Sequence, residues 1–218
     1  MSLLERFLDP GHVSLKICGV TLKDDAERLV GLAVDALGVN FWPRSKRYLD
    51  PQHADWLRGL SGRILRVGVF VNEDAALPLR LMREGLLDVV QLHGDETPED
   101  ALPYQEAGVP FFKAIGVGTA SDLGRAADFG ASAVLLDAHA PGVYGGTGET
   151  FDWNSAIEFK ARHPAIPVIL AGGVVPGNAA LAAATVRPAA VDVASGAEVS
   201  PGIKDFAKVS ALLAALKH

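Results

Sequence analysis

The chain has 218 residues, enough to bury a sizeable core as one domain, and its 49% hydrophobic and 21% charged content excludes a disordered or fibrous protein. The net charge of −6 argues against nucleic acid or an anionic membrane surface as the main partner. A single cysteine, Cys18, excludes an internal disulfide, and the opening residues lack the pattern of a signal peptide. We therefore expect a cytoplasmic protein.

Short apolar runs alternate with helix-like runs from residue 13 onward. The predicted strands are 13–18, 36–41, 64–71, 88–92, 110–117, 132–137, 166–171 and 189–195. The predicted helices are 24–33, 51–60, 74–85, 98–107, 121–130, 153–162, 178–185 and 205–216. Eight strand-then-helix units predict a single-domain α/β fold, a (β/α)8 TIM barrel over residues 13–218, with residues 1–12 as an N-terminal extension.

An open, doubly wound sheet is the alternative architecture. The chain has no G-x-G-x-x-G turn after the first predicted strand and no P-loop motif, which argues against that sheet. In a barrel, the active site lies at the carboxyl ends of the strands, in the loops that follow them. Polar residues at those positions are therefore the candidates for function.

The end of the first predicted strand carries an amine and a thiol. Lys16 and Cys18 are two residues apart, so both side chains point to the same face of the strand. We expect the ammonium to lower the pKa of the Cys18 thiol toward that of a useful base or nucleophile. The alternative is that Cys18 is a small buried apolar side chain.

One further strand end and one loop carry charged candidates. Asp137 closes the apolar run AVLL, whose neighbours disfavour an ionised carboxylate, so it is either a general acid or a loop cap. Arg47 lies in the loop after the second strand, where a guanidinium can hold a substrate carboxylate through two parallel hydrogen bonds. The pattern does not separate Arg47 from its neighbours Arg44 and Lys46, and a solvated basic loop is the alternative.

His93 and Asp192 are less specific candidates. The segment HGDE, which begins at His93, lacks the i, i+4 histidine pair of a helical zinc site, so we expect a hydrogen-bonding histidine and no metal. Asp192 lies inside the eighth strand and is either an ion-pair partner of Lys16 or a residue of the site.

Glycine-rich loops follow three of the last strands. The segment 141–150 contains four glycines and is typical of a mobile loop that closes over a ligand. AGGV at 171–174 and ASG at 194–196 follow the seventh and eighth strands, where barrels bind phosphate through backbone N–H groups. The candidate phosphate-binding residues are Gly172, Gly173, Ser195 and Gly196.

Seven blocks, in chain order, together resemble the phosphoribosylanthranilate isomerase family. They are KICGVT (16–21), NFWPRSKRYL (40–49), VGVFVN (67–72), VQLHGDE (90–96), LLDA with YGGTGETFDW (135–153), ILAGGVVPGN (169–178) and VDVASGAEVSPGIKD (191–205). The resemblance implies a cofactor-free Amadori rearrangement in tryptophan biosynthesis. It converts N-(5′-phosphoribosyl)anthranilate to 1-(2-carboxyphenylamino)-1-deoxyribulose 5-phosphate, so the expected partner is a small phosphosugar that carries an anthranilate group.

The resemblance also implies a role for each candidate residue. Cys18 is the base, Asp137 is the acid and Arg47 binds the anthranilate carboxylate. The two glycine loops after strands seven and eight bind the phosphate, while His93 and Asp192 match further polar positions of the family site.

Two positions depart from the family pattern. Lys46 stands where a proline is frequent, and Glu149 stands where a lysine is common. We expect these changes to affect substrate affinity more than the chemical step. The sequence leaves two other functions open: a related phosphosugar isomerase of histidine biosynthesis, and a barrel that binds phosphate ligands without catalysis. Because the predicted helices show no long exposed apolar stripe, we predict a monomer.

Overall fold

The computed structural model describes residues 1–117, 123–124, 126–138 and 153–217. Eight parallel strands close into a barrel in which each strand pairs with the next and β8 pairs with β1. The strands are β1 (Ser14–Ile17), β2 (Ala36–Asn40), β3 (Leu65–Phe70), β4 (Val89–Leu92), β5 (Phe111–Val117), β6 (Ala133–Ala138), β7 (Val168–Leu170) and β8 (Ala190–Val193). The predicted (β/α)8 barrel is confirmed.

α-Helices or 3-10 helices separate successive strands, while one α-helix precedes β1 and another follows β8. The α-helices are α1 (Leu3–Phe7), α2 (Lys23–Gly31), α3 (Ala76–Arg83), α4 (Pro98–Glu106), α5 (Trp153–Arg162), α6 (Ala179–Val186) and α7 (Phe206–Leu216). In the described part of the chain, no helix combines the length and apolar character that a membrane crossing requires.

The strands alternate between the barrel interior and the surrounding helices. On β3, Leu65 and Val67 belong to the interior cluster, whereas Phe70 packs in the cluster beneath the outer helices. All six β3 residues are buried because a parallel strand is covered on both faces. On β1 the same alternation directs Leu15 outward and Lys16 inward, toward the interior beneath the site.

The N-terminal segment packs against the barrel. Ser2 caps α1 in a reciprocal capping box with Glu5. Phe7 is 1% exposed and stacks on Phe112 of β5, with ring centroids 6.0 Å apart. Phe112 lies at the amino end of its strand, so α1 covers the end of the barrel opposite the candidate site. The domain boundary at residue 13 stays a prediction.

Two predicted helices differ from the structure. The segment predicted as a helix over 51–60 forms two 3-10 helices, Pro51–His53 and Asp55–Leu60. Ala54, between them, donates its N–H to the carbonyl of Pro51, three residues back, so a continuous α-helical ladder does not form. The structure describes residues 123–124 and 126–130 of the helix predicted over 121–130, and of these Ala126–Phe129 form a further 3-10 helix. The rest of that prediction lies outside the described residues.

One feature after β8 was not predicted. Strands β9 (Glu198–Ser200) and β10 (Ile203–Lys204) form a small antiparallel hairpin that is separate from the barrel. Thr21, in the loop after β1, donates its hydroxyl to the carbonyl of Gly202 in the hairpin turn. The hairpin is thereby held beside the carboxyl end of β1.

Candidate active site

A cavity of about 340 Å³ opens at the carboxyl ends of the strands. Inward-facing side chains at the ends of β1, β4, β6 and β8 converge on it, as strand alternation in a barrel requires. All nine predicted site residues line this cavity: Cys18, Arg47, His93, Asp137, Gly172, Gly173, Asp192, Ser195 and Gly196. The structure thus brings the predicted residues together, whereas the glycine-rich loop 141–150 and Glu149 lie outside the described residues.

The base candidate lies above a buried ion pair. Lys16 and Asp192 are paired in register across β1 and β8, and the Lys16 ammonium is 2.9 Å from Oδ1 of Asp192. The two alternatives for Asp192 are therefore both realised, because it is the ion-pair partner of Lys16 and also lines the cavity.

The expected effect of Lys16 on the thiol is outweighed. Burial raises the pKa of Cys18, and the charge of Asp192 raises it further, whereas the ammonium groups of Lys16 and Lys204 lower it. Lys16 lowers the pKa as expected, but the net direction is upward, so the expectation of a lowered pKa overall was wrong. It considered the lysine on the same strand but not burial or the carboxylate on the neighbouring strand.

Gly38 of β2 provides the space in which Lys16 and Cys18 meet. A Cβ at Gly38 would lie 2.8 Å from the Cys18 sulfur and 3.1 Å from the Lys16 ammonium nitrogen. For Lys16 itself, burial lowers the pKa, but its interactions with Asp192 and Cys18 raise it more, and the net direction is upward. Lys16 is therefore a cation next to the thiol.

The acid candidate faces a histidine. Oδ2 of Asp137, at the end of β6, lies 3.5 Å from Nε2 of His93, which follows β4. Gln91 is fully buried, and its Nε2 lies 2.6 Å from Nδ1 of His93. When the amide donates this hydrogen bond, the imidazole proton is on Nε2 and faces Asp137. Sequence reasoning missed Gln91, although it lies two residues before His93 and shares its face of the strand.

Arg47 is held against Gly19, the residue after Cys18. Its Nε donates to both carboxylate oxygens of Glu198, at 2.9 and 3.1 Å, and its Nη2 donates to Oε2 at 2.7 Å. Gly19 has a φ of +73°, and a Cβ there would collide with the Arg47 stem. Arg47 is thus a half-buried, ion-paired residue, with a side chain 14% exposed, and the solvated-loop alternative is wrong for Arg47, whereas Arg44 and Lys46 are exposed.

Glu198 and Lys204, both on the hairpin, were missed by the sequence reasoning. Glu198 accepts a 2.7 Å hydrogen bond from the Lys204 ammonium, which also donates to the backbone carbonyl of Cys18 at 2.6 Å. Burial alone would raise the pKa of Glu198, but the Arg47 hydrogen bond and the Lys204 charge lower it more. Glu198 is therefore an ionised carboxylate between two cations. The available signal was the charge pair in EVSPGIK, in a segment too short to predict as strands.

The two predicted phosphate loops are adjacent in space. Gly172 and Gly173 have φ values of +79° and +63°, which side chains rarely adopt. A Cβ at Gly196 would collide with the carbonyl oxygen of Val174, so only glycine fits where the loops after β7 and β8 meet. Their backbone groups line one side of the cavity, an arrangement that suits a phosphate group.

Comparison with known proteins agrees with this geometry. The family model of N-(5′-phosphoribosyl)anthranilate isomerase matches residues 15–215. The N-(5′-phosphoribosyl)anthranilate isomerase of Citrifermentans bemidjiense is 42% identical over 204 residues, which cover 93% of this chain and 96% of the relative.

Solved structures give the same result. The phosphoribosyl anthranilate isomerase of Thermotoga maritima superposes with a TM-score of 0.85 and 37% identity, covering 94% of this chain and 98% of that one. A phosphoribosyl anthranilate isomerase in complex with reduced 1-(o-carboxyphenylamino)-1-deoxyribulose 5-phosphate has a TM-score of 0.81 and 36% identity, with coverages of 94% and 98%. Fold and sequence agree over almost the whole chain, and the chain belongs to the N-(5′-phosphoribosyl)anthranilate isomerase family.

Proposed function

We propose that Cys18 is the general base and Asp137 the general acid of the Amadori rearrangement of N-(5′-phosphoribosyl)anthranilate, a step of tryptophan biosynthesis. The observation that carries this assignment is their position in one cavity. Cys18 follows β1 and Asp137 lies near the carboxyl end of β6, with β7 and β8 between the two strands, so the two groups approach a bound sugar from different sides.

The chemistry needs one acid and one base. Asp137 protonates the furanose ring oxygen, the bond from that oxygen to C1′ breaks, and the nitrogen lone pair forms the C1′=N Schiff base. The Cys18 thiolate then removes the proton from C2′, which gives an enolamine. Tautomerisation of the enol to the C2′ ketone places a proton on C1′, so the product is an isomer of the substrate and no electrons leave or enter.

The surroundings of Cys18 set how easily the thiolate forms. Because the thiolate is the active base, the raised pKa of Cys18 means that the thiol predominates at neutral pH. The Lys16 ammonium beside the sulfur favours the thiolate, and Asp192 opposes it. A bound substrate adds its own charges to this balance.

Arg47 and the glycine loops hold the two ends of the substrate. The guanidinium of Arg47 binds the anthranilate carboxylate, and the backbone of the loops that contain Gly173 and Gly196 binds the phosphate. Arg47 lies beside Gly19, the residue after Cys18, so the carboxylate end of the substrate is held near the base. His93 orients the Asp137 carboxyl group. We further propose a monomeric, cytoplasmic enzyme.

Substrate turnover tests this function. Purified protein should convert freshly generated N-(5′-phosphoribosyl)anthranilate, seen as loss of its anthranilate fluorescence. It should not convert the aminoimidazole-carboxamide ribotide substrate of the histidine-pathway isomerase, because that enzyme class is expected to use an aspartate where this chain has Cys18. Tight binding of the anthranilate substrate without conversion would instead support a non-catalytic barrel.

A further inference from the structure

We propose that Glu198 is a positioning residue that determines which edge of the Arg47 guanidinium faces the cavity, and thereby gives the site its selectivity for a ring carboxylate. The proposal rests on the proposed function, in which Arg47 binds the anthranilate carboxylate. It assigns the hairpin after β8 a role in substrate choice.

The first observation is the geometry of the Arg47–Glu198 contact. A guanidinium has two edges that match a carboxylate, one formed by Nε with Nη2 and one formed by Nη1 with Nη2. Glu198 occupies the first edge with three hydrogen bonds of 2.7 to 3.1 Å. Among the residues that the structure describes, no hydrogen bond from Nη1 of Arg47 is formed. The second edge is thus the one left for a ligand in the cavity that Arg47 lines.

The second observation is that Glu198 is itself fixed. It is 5% exposed and accepts hydrogen bonds from the Lys204 ammonium at 2.7 Å and from the Gly202 amide at 3.1 Å. A carboxylate held by these donors has little freedom to follow a mobile arginine. Glu198 therefore provides a rigid reference for the Arg47 side chain.

The stem of Arg47 is also restricted, on the side away from Glu198. The stem of Arg47 lies against Gly19, where a Cβ would collide with it. With its stem against the backbone of Gly19 and its Nε edge on Glu198, the guanidinium has one orientation. Pre-orientation of this kind lowers the entropic cost of binding a planar carboxylate.

Two ligands isolate this effect. Reduced 1-(o-carboxyphenylamino)-1-deoxyribulose 5-phosphate carries the ring carboxylate, and its phenyl analogue lacks only that group. The ratio of their dissociation constants, measured by calorimetric titration, reports how much the carboxylate contributes to binding. A variant that disturbs the site in general weakens both ligands alike and leaves the ratio unchanged.

Glu198→Gln is the test variant. The amide keeps the shape of the side chain but directs an N–H group at Arg47 or at Lys204, each of which is itself a donor. We expect the preference for the carboxylated ligand to fall by roughly tenfold, as for other coupled charged neighbours. If the glutamine variant does not fold, Glu198→Asp allows the same comparison, because it keeps the buried charge but is too short to reach Arg47 in the same way.

Two controls separate the possible outcomes. Glu96→Gln breaks a comparably buried ion pair, in which Oε2 of Glu96 lies 2.7 Å from the Lys113 ammonium. This variant should leave the ratio of the two dissociation constants unchanged. Arg47→Ala should remove most of the preference. If it does not, Arg47 does not bind the carboxylate and the proposed function fails at that point. If Arg47→Ala removes the preference while folded Glu198 variants keep the wild-type ratio, the positioning role of Glu198 is overturned and the proposed function stands.

Discussion

The Lys16 ammonium lies 2.9 Å from Oδ1 of Asp192 in the barrel interior, two residues before Cys18 on the same strand face. This ion pair supplies the base with a neighbouring cation and a neighbouring anion at once. The anion opposes formation of the thiolate, and together with burial it raises the pKa of Cys18.

Asp192→Asn should therefore lower the pKa of Cys18. Removing the carboxylate charge takes away an influence that raises this pKa, while the Lys204 ammonium, which is paired with Glu198, still lowers it. The rising limb of the pH profile of kcat/KM should move to lower pH, as should the thiolate absorbance of the free enzyme.

The matched control is Asp88→Asn, which breaks an aspartate pair with Arg66 of similar length, 2.7 Å, away from the cavity lining. That variant should leave the limb in place. If the rising limb of the kcat/KM profile of Asp192→Asn lies at the wild-type pH or at a higher pH, then Asp192 does not raise the pKa of Cys18.

Asp137→Asn removes the proposed acid but keeps the size of the side chain. We expect kcat to fall by roughly 10²- to 10⁴-fold, the usual contribution of a general acid, while KM changes little. His93→Gln, which alters the neighbour 3.5 Å from Asp137, should reduce kcat less. Steady-state kinetics on variants with wild-type unfolding temperatures measure both, and wild-type kcat in Asp137→Asn would remove Asp137 from the mechanism.

Arg47→Lys keeps the positive charge but loses the planar fork. A lysine cannot bind Glu198 and a substrate carboxylate on two edges, so we expect KM to rise by about 10- to 100-fold with a smaller change in kcat. Arg63→Lys makes the same change at an exposed arginine away from the cavity lining and should alter KM by less than about threefold. Equal KM values for the two variants would show that Arg47 does not bind the carboxylate.

The N-terminal helix should contribute to stability rather than to catalysis. Phe7→Ala leaves a cavity against Phe112 and should reduce the free energy of unfolding by about 3–5 kcal/mol. Arg6→Ala, an exposed change on the same helix, should stay within about 0.5 kcal/mol of wild type. Denaturant unfolding measures both, and kcat should be unchanged in the folded variants. A loss below about 1 kcal/mol in Phe7→Ala would mean that the helix is dispensable to the barrel.

The barrel and most of the site were predictable because their signals are local. Each strand is a short apolar run, and Cys18, Asp137 and Asp192 lie at or near strand ends, where a barrel places its active site. The segment 51–60 has helical spacing, but a hydrogen bond from Ala54 to Pro51 divides it into two 3-10 helices. The spacing of apolar residues does not show whether an amide bonds to the carbonyl three or four residues before it.

The remaining site residues depend on contacts between distant segments. Glu198 contacts Arg47 although the two are 151 residues apart in the sequence, and Lys204 contacts Cys18 across a separation of 186 residues. The direction of the Cys18 pKa likewise depends on Asp192, which belongs to a different strand. Such relationships arise only when the barrel closes and β8 comes to lie beside β1.

The role of Cys18 as the base of this isomerase is tested by removing its thiol. Wild type and Cys18→Ala are given freshly generated N-(5′-phosphoribosyl)anthranilate side by side, and the loss of anthranilate fluorescence is followed. We expect rapid conversion by the wild type and a decrease of roughly 10²-fold or more in kcat for the folded alanine variant. Turnover by Cys18→Ala at the wild-type rate would contradict this role.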